Sequence, residues 1–501
     1  MPDTRLLSAV EIARLVREGA LSSRDAVEAH IEQIERVNPA LNAVVRDRFD
    51  EARAEADAAD ALVHSGGELP PLHGVPCTIK ESFALTGMPN AAGLVRRRHV
   101  VADSDATAVA RLRKAGAIPL GVTNTSELCM WMESNNYVYG RTNNPYDQAR
   151  IAGGSSGGEG SIVGAGASPF GLGSDVGGSI RGPAFFNGVF GHKATGGLVP
   201  GSGQYPMAEN EVLRYLTTGP LTRRAADLMP LLRILAGPDG IDEGCEEMPL
   251  GDPAEVRLEE RTLLHVEDNG GIDVSDDLRA AQERAVRALE ARGMRIRRVR
   301  FAALKKQFDI WSAMMGAARG TPFGELLGQG QPIRPMREIV KWSLRTSEHT
   351  LMASLLALID PLPKLAPRMA RHLIDLGRQL RGEIVEMLGP DGVLLYPSHS
   401  SPAPRHNEPV KQALRLHMPW AYLGIMNVLE LPSTQVPLGL NAAGLPLGVQ
   451  VISRHRNDHM TIAVAMELER ALGGWVPPPL SGLVAIPAPE DRSARARDPA
   501  A

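Results

Sequence analysis

The stretch "ARIAGGSSGGEGSIVGAGASPFGLGSDVGGSIRGPA" covers residues 149–184, and its reading decides the fold. Three readings compete: a flexible linker, a phosphate cradle, or the floor of an active site. A flexible linker is polar throughout, whereas Ile151, Ile162, Val163, Phe170, Leu172, Val176 and Ile180 are threaded through this one. A P-loop follows its glycines with Lys and then Ser or Thr. Neither GGSSGG nor DVGGSIRG supplies that pair. The remaining reading is catalytic. In "SDVGGSIRGP", Ser179 follows two glycines and precedes a predicted helix start, with Pro183 in the first turn. Glycines let backbone N–H groups crowd around a small anion. The N–H groups of Val176, Gly177, Gly178 and Ser179 are therefore predicted to form a nest for an oxyanion.

A serine nucleophile needs a base. His73, His192 and His399 sit near glycines or strand ends and are candidates. Lys80, at the end of the apolar run "GVPCTIK", is another. The residues alone leave both kinds of base open.

Outward from this stretch, "EGSIVGAGA" reads as helix and "PFGLGS" as strand. Apolar residues recur at helical period over 8–18, 22–36, 48–63, 105–115, 224–236, 274–291, 368–388 and 457–472. Strand patterns fall at 72–79, 117–122, 168–173, 261–268, 294–301, 392–397, 433–440 and 445–452. This alternation predicts a layered α/β protein. One domain is expected over residues 1–476. The Pro/Arg-rich tail, 477–501, has little apolar surface to bury and is expected to be poorly ordered. The segment 302–367 stands apart. It holds Trp311, Met314, Met315, Trp342 and Leu355, and prolines cut it into short pieces. Such pieces suit a pocket wall or lid, although packing on the core fits the same pattern.

The 501 residues carry a formal net charge of −4, so nothing points to nucleic acid or an anionic membrane as partner. "RRRH" and "RIRRVR" are short enough to be solvated faces. Three widely spaced cysteines, Cys77, Cys129 and Cys245, argue against a disulfide framework or a zinc site and fit a reducing compartment. The N-terminus is amphipathic and lacks the apolar core of a signal peptide. The longest apolar run, 351–359, is far short of the roughly 20 residues that span a bilayer. A cytoplasmic protein is expected.

Three blocks, "LHGVPCTIKESF", "GRTNNPYDQARIAGGSSGGEGS" and "GLGSDVGGSIRGPAFFNGVFGHKATGG", resemble the amidase-signature hydrolases in sequence and order. Lys80 lies 75 residues before Ser155, and Ser155 lies 24 before Ser179, which matches as well. The likeness runs over about residues 5–476. "ESFALTGMPNAAGL", "YGRTNNPYD" and "RGPAFFNGVFGHK" look like the branch of fatty-acid amide hydrolases of the second type. That family's usual Asp after the lysine is Glu81 here, and its usual Thr before the Asp of the nucleophile loop is Ser174. Both keep the hydrogen-bonding group.

The resemblance implies an α/β/α sandwich with a central mixed, twisted sheet. It implies a Ser–cis-Ser–Lys triad made of Ser179, Ser155 and Lys80, with Gly154 preceding the cis peptide. Asp175 and Arg181 are expected to brace the loop by pairing, and Ser156 to hydrogen-bond within the triad's surroundings. Cys129, Met130 and Trp131 fall where family members line the acyl pocket. No metal or other cofactor is called for. The expected partner is a small amide with an apolar acyl or aryl part, with a homodimer the one assembly admitted. Carbamate (urethane) or ester hydrolysis passes through the same acyl-enzyme and is an alternative. A glutaminase-like subunit of a tRNA-dependent amidotransferase is another. A free lysine titrates near 10.4, so only about one in 2,500 is neutral at pH 7. Burial lowers that value by up to roughly 3–5 units, which is what a lysine base requires.

Overall fold

The computed structural model describes residues 3–318, 320–361 and 366–486. Its strands, in chain order, are β1 (Val44–Asp47), β2 (Val75–Lys80), β3 (Ala117–Thr123), β4 (Asn135–Asn136), β5 (Gly140–Arg141), β6 (Phe170–Asp175), β7 (Phe190–Lys193), β8 (Thr217–Thr222), β9 (Thr262–His265), β10 (Arg295–Arg298), β11 (Val393–Tyr396), β12 (Ser433–Leu440) and β13 (Pro446–Ser453). β4 and β5 pair with each other. The other eleven form one mixed sheet in the order β1-β3-β2-β6-β8-β7-β12-β13-β11-β9-β10. β2 runs parallel to β3 and β6, and β9 parallel to β10 and β11; the remaining neighbours are antiparallel.

β6 shows why the sequence folds this way. Residues two apart on a strand share a face, so Gly171 and Gly173 present one smooth side. The helix Gly157–Gly164 packs there. A Cβ at Gly171 would lie 1.8 Å from Glu159 Oε2, and one at Gly173 would lie 3.1 Å from Ser156 Oγ. The glycines of the opening stretch therefore mark close packing between layers. Phe170 and Leu172, on the alternate face, join the main apolar core.

Three strands of the large sheet escape the sequence patterns, as do the two-residue strands β4 and β5. β1 and β7 are four residues long. β8 reads "TTGPLT", and proline in a central strand argues against that assignment. Its neighbour β7 pairs with it only at Leu221 and Thr222, so Pro220 lies beyond that ladder.

The segment 302–367 is a chain of short helices: Gln307–Ala318, Phe323–Leu327, Pro335–Ser343 and Leu351–Ile359. Pro322 precedes the second of these, Pro335 opens the third, and Pro367 opens the helix Pro367–Leu388. Proline suits a first turn because its missing N–H has no helical partner there. Phe323, Leu327, Ala353 and Ala357 form a small core of their own with Leu94 and Leu128. Within this segment, Arg319 and 362–365, including Pro363, lie outside the described residues, as do tail residues 487–501.

The tail departs from expectation over 477–486. Gln148 donates to the Val484 carbonyl at 2.7 Å and accepts the Val484 N–H at 2.8 Å, and the Ile486 N–H reaches the Pro39 carbonyl. These bonds act together with Leu480 and Leu483, which pack against the cluster that holds Val27, Ile31 and Trp475. No helix of the described residues is long and apolar enough to cross a membrane.

Candidate active site

β2 ends at Lys80, which is fully buried. Its Nζ lies 2.7 Å from Ser155 Oγ and 3.0 Å from Ser174 Oγ, and the Cys129 thiol also faces it. Burial pushes the lysine pKa down from its usual value, because an ammonium loses its hydration there. The peptide bond between Gly154 and Ser155 is cis. Gly154 is required by contact: a Cβ there would lie 2.4 Å from the Trp131 carbonyl oxygen.

Ser155 and Ser179 open onto one cavity. Ser179 follows β6 and precedes the helix Arg181–Phe186. Its carbonyl accepts the Ser156 N–H at 3.2 Å, and Ser156 Oγ donates to the Ser174 carbonyl at 3.4 Å. The two serine-bearing turns are thus tied together.

Asp175 organises the loop that carries Ser179. Its carboxylate accepts the N–H groups of Gly178, Ile180 and Arg181, two bonds from the Arg181 guanidinium, and one from Asn427. Arg181 also donates to Gln450 and Asn427. Burial alone would raise the Asp175 pKa, but the charge and bonds of Arg181 outweigh it and hold the carboxyl below its usual range. The pair is wholly inaccessible to solvent. The Gly178 N–H, expected in a nest of four, is engaged by Asp175 at 2.7 Å.

Beneath the site, Glu159 accepts hydrogen bonds from Thr78 (2.6 Å) and Thr123 (2.8 Å). Burial raises its pKa to about 8.

Cys129 and Met130 line the cavity with Leu128, Met207, Ala208, Val212, Met315, Phe323 and Leu326. Trp131 does not: it lines a neighbouring cleft with Trp342, and Met130 borders both spaces. A turn between Cys129 and Trp131 carries consecutive side chains to different sides. Trp311 packs beside the loop. Its Nε1–H donates to the Val176 carbonyl at 3.1 Å, and its ring stands edge-on to Trp420 with centroids 4.8 Å apart. The candidate histidines are occupied elsewhere. His73 meets the Ala59 carbonyl, His192 meets Thr434 and Asp458, and His399 meets the Ser401 carbonyl. Burial lowers the His399 pKa to about 4.

The sequence reading missed the wall supplied by Met207, Ala208, Val212 and Leu216. Met207 and Val212 stand in a Gly/Pro-flanked loop, "GSGQYPMAENEV", without helical or strand period, and an apolar residue in such a loop was the available signal. Asn427 and Gln450 had none, since only the folded sheet brings them to Arg181.

The amidase family profile matches residues 25–462. Fatty-acid amide hydrolase 2 of Homo sapiens is 44% identical over 491 residues, covering 94% of this chain and 90% of that protein. Fatty-acid amide hydrolase 2-A of Danio rerio is 46% identical over the same shares. The solved structure of a 6-aminohexanoate cyclic dimer hydrolase complexed with substrate superposes with a TM-score of 0.78 at 26% identity, over 95% of this chain and 99% of that one. With a profile that spans most of its length and relatives this similar, the chain belongs to the amidase family and is an amide-bond hydrolase.

Proposed function

We propose that this enzyme cleaves amides with an apolar acyl or aryl part through a Ser179–Ser155–Lys80 triad. The observation that carries the reading is the 2.7 Å contact between buried Lys80 and Ser155, on the cavity that Ser179 shares. Neutral Lys80 accepts the Ser155 hydroxyl proton while Ser155 accepts that of Ser179. The Ser179 oxygen bonds to the acyl carbon. The carbonyl oxygen becomes an oxyanion, met by the N–H groups of Val176, Gly177 and Ser179; the bond to Asp175 reserves Gly178 for holding the loop's shape. The C–N bond then breaks, and the proton returns through Ser155 to the departing amine. Water, deprotonated along the same route, attacks the Ser179 ester and releases the acid. Asp175, Arg181 and Ser156 hold the loop rather than react.

The mainly apolar lining supports an apolar acyl or aryl group better than glutamine, which would bring a charged α-amino and α-carboxylate group against it. The activity named for the human and zebrafish relatives points the same way. A serine-directed fluorophosphonate is expected to label Ser179 alone, as read by peptide mass spectrometry. A panel of anilides, fatty amides, carbamates, esters and glutamine is expected to favour apolar amides. Label on Ser155, or fastest turnover of glutamine, overturns the reading.

A further inference from the structure

The wall between the cavity and Lys80 is a strained turn. Leu128 and Cys129 have φ of 50° and 58°, a left-handed backbone that costs a residue with a Cβ energy and persists only when its surroundings enforce it. Two sets of contacts do so. The Leu128 N–H donates to the Ala92 carbonyl at 2.8 Å. On the other side, the carboxylate of Glu127, itself buried, reaches into the 302–367 segment. Glu127 Oε1 lies 2.8 Å from His349 Nδ1, and Oε2 accepts the Thr350 N–H at 2.8 Å. His349 is 1% exposed. Its own N–H donates to Ser347 Oγ at 3.0 Å, and that hydroxyl donates to Glu338 at 2.9 Å. Thr350 caps the helix Leu351–Ile359. The chain Glu338–Ser347–His349–Glu127 thus joins two helices of the segment to the turn that carries Leu128, Cys129 and Met130 into the cavity.

We infer that His349 is a positioning and specificity-determining residue: through Glu127 it clamps the 127–130 turn and thereby fixes the wall against which the acyl group lies. The inference rests, for its effect on substrate choice, on the cavity being the acyl site. The clamp itself does not. His349 touches neither serine nor lysine of the triad, so its removal acts on the wall and leaves the proton route in place.

Cys129 reports on the clamp directly. In His349→Ala, the rate of iodoacetamide alkylation at Cys129, read by peptide mass spectrometry, is expected to rise at least about threefold as the turn opens. Cys245, outside this region, serves as internal reference and is expected to be unchanged. Across a series of acyl p-nitroanilides, the variant is expected to raise KM for long chains while kcat for the acetyl member stays within about threefold. His349→Gln, which keeps a donor near Glu127, is expected to restore most of both properties. Glu127→Gln retains the side-chain shape and is expected to shift both in the same direction as His349→Ala; it serves if that variant does not fold. Unchanged Cys129 labelling in folded protein overturns the clamp. Faster labelling with an unchanged chain-length profile upholds the clamp and overturns the acyl-site reading instead.

Discussion

The loop that carries Ser179 and the wall that faces it across the cavity are held by different physics. Around Ser179, backbone and side-chain donors converge on one buried carboxylate, Asp175, which a guanidinium neutralises. The loop sits between a central strand and a helix, where displacement would leave charges unpaired. Across the cavity, residues 302–361 are short helices; Leu304, Ile310, Met314 and Met315 join the main core, while Phe323, Leu327, Ala353 and Ala357 form a small apolar core with Leu94 and Leu128. Met336, Val340, Leu344 and Ile359 remain exposed on their outer surface. Polar contacts join this part to the rest, among them Trp311 to Val176, Tyr396 to Gln307, Thr321 to Glu209, Gln329 to Tyr205, Arg96 to Glu348, and His349 and Thr350 to Glu127. Catalytic geometry needs tolerances that only dense, fully partnered surroundings provide. Substrate choice needs a surface of suitable shape, and an apolar wall of short helices supplies one.

This contrast predicts that substitutions on the loop side change rate or stability, while those on the wall change selectivity. The largest effect is expected at the nucleophile. Ser179→Ala is expected to lower kcat on the order of 10⁴–10⁶-fold, measured on an activated anilide. Retention of a tenth of the activity would dissolve the contrast at its centre.

Next is Lys80. Because burial lowers its pKa, kcat/KM is expected to rise with pH through one ionisation below the usual value of 10.5, as the amine becomes neutral. Lys80→Ala is expected to lose that limb and about 10²–10⁴-fold in rate. A limb that survives the substitution would assign the base elsewhere.

The third concerns the loop's brace. Arg181→Met leaves the Asp175 carboxylate buried without its counter-charge, and such losses cost about 3–5 kcal/mol. Urea unfolding is expected to register a loss of that order; a loss below about 1 kcal/mol would mean that the pair behaves like a solvated one.

Glu159 gives a smaller effect with a definite sign. Its pKa is about 8 in the fold against an ordinary 4.5. A raised carboxyl stabilises the fold fully below the ordinary value, and that contribution fades as pH climbs toward the folded value. Glu159→Gln removes the titration, so its stability relative to wild type is expected to increase between pH 4.5 and 8. A constant difference over that window would show that Glu159 is already ionised in the folded protein.

The smallest rate effect is expected on the wall. Each methylene buried contributes about 0.8 kcal/mol, close to fourfold in affinity. Met315→Ala is expected to move the preferred acyl length by a few carbons, at nearly constant kcat for the shortest substrate. An equal loss for every chain length would place Met315 with the catalytic side of the comparison.

Part of the candidate site was legible in the sequence. The glycine-rich stretch, the serine after two glycines and a lysine ending an apolar run are local patterns, whereas Ser155 stood out only through the family resemblance, and the helix–strand alternation gave the layered architecture. What was not legible depends on neighbours distant in the chain. Pro220 reads as a strand breaker until the end of the β7 ladder is known. Cys129, Met130 and Trp131 read as one pocket stretch, yet the left-handed turn sends Trp131 to another cleft. The Gly178 N–H reads as an oxyanion donor until Asp175 is found to engage it. Residues 477–486 read as a frayed end because their anchor, Gln148, lies more than 300 positions away.

The bond from the Trp311 indole to the Val176 carbonyl has a practical corollary for anyone reshaping this enzyme's substrate range. Most of the wall can be randomised with the expectation that turnover survives, since its side chains end at the cavity. The exceptions are Cys129, whose thiol faces Lys80, and Trp311. The one N–H of the Trp311 ring is spent on the loop's backbone beside Ser179, and the ring is wedged between Gly177 and Trp420. A library that varies either position mixes altered selectivity with damaged chemistry in every clone. Holding both fixed lets screening for a new leaving group or chain length proceed on a constant catalytic background.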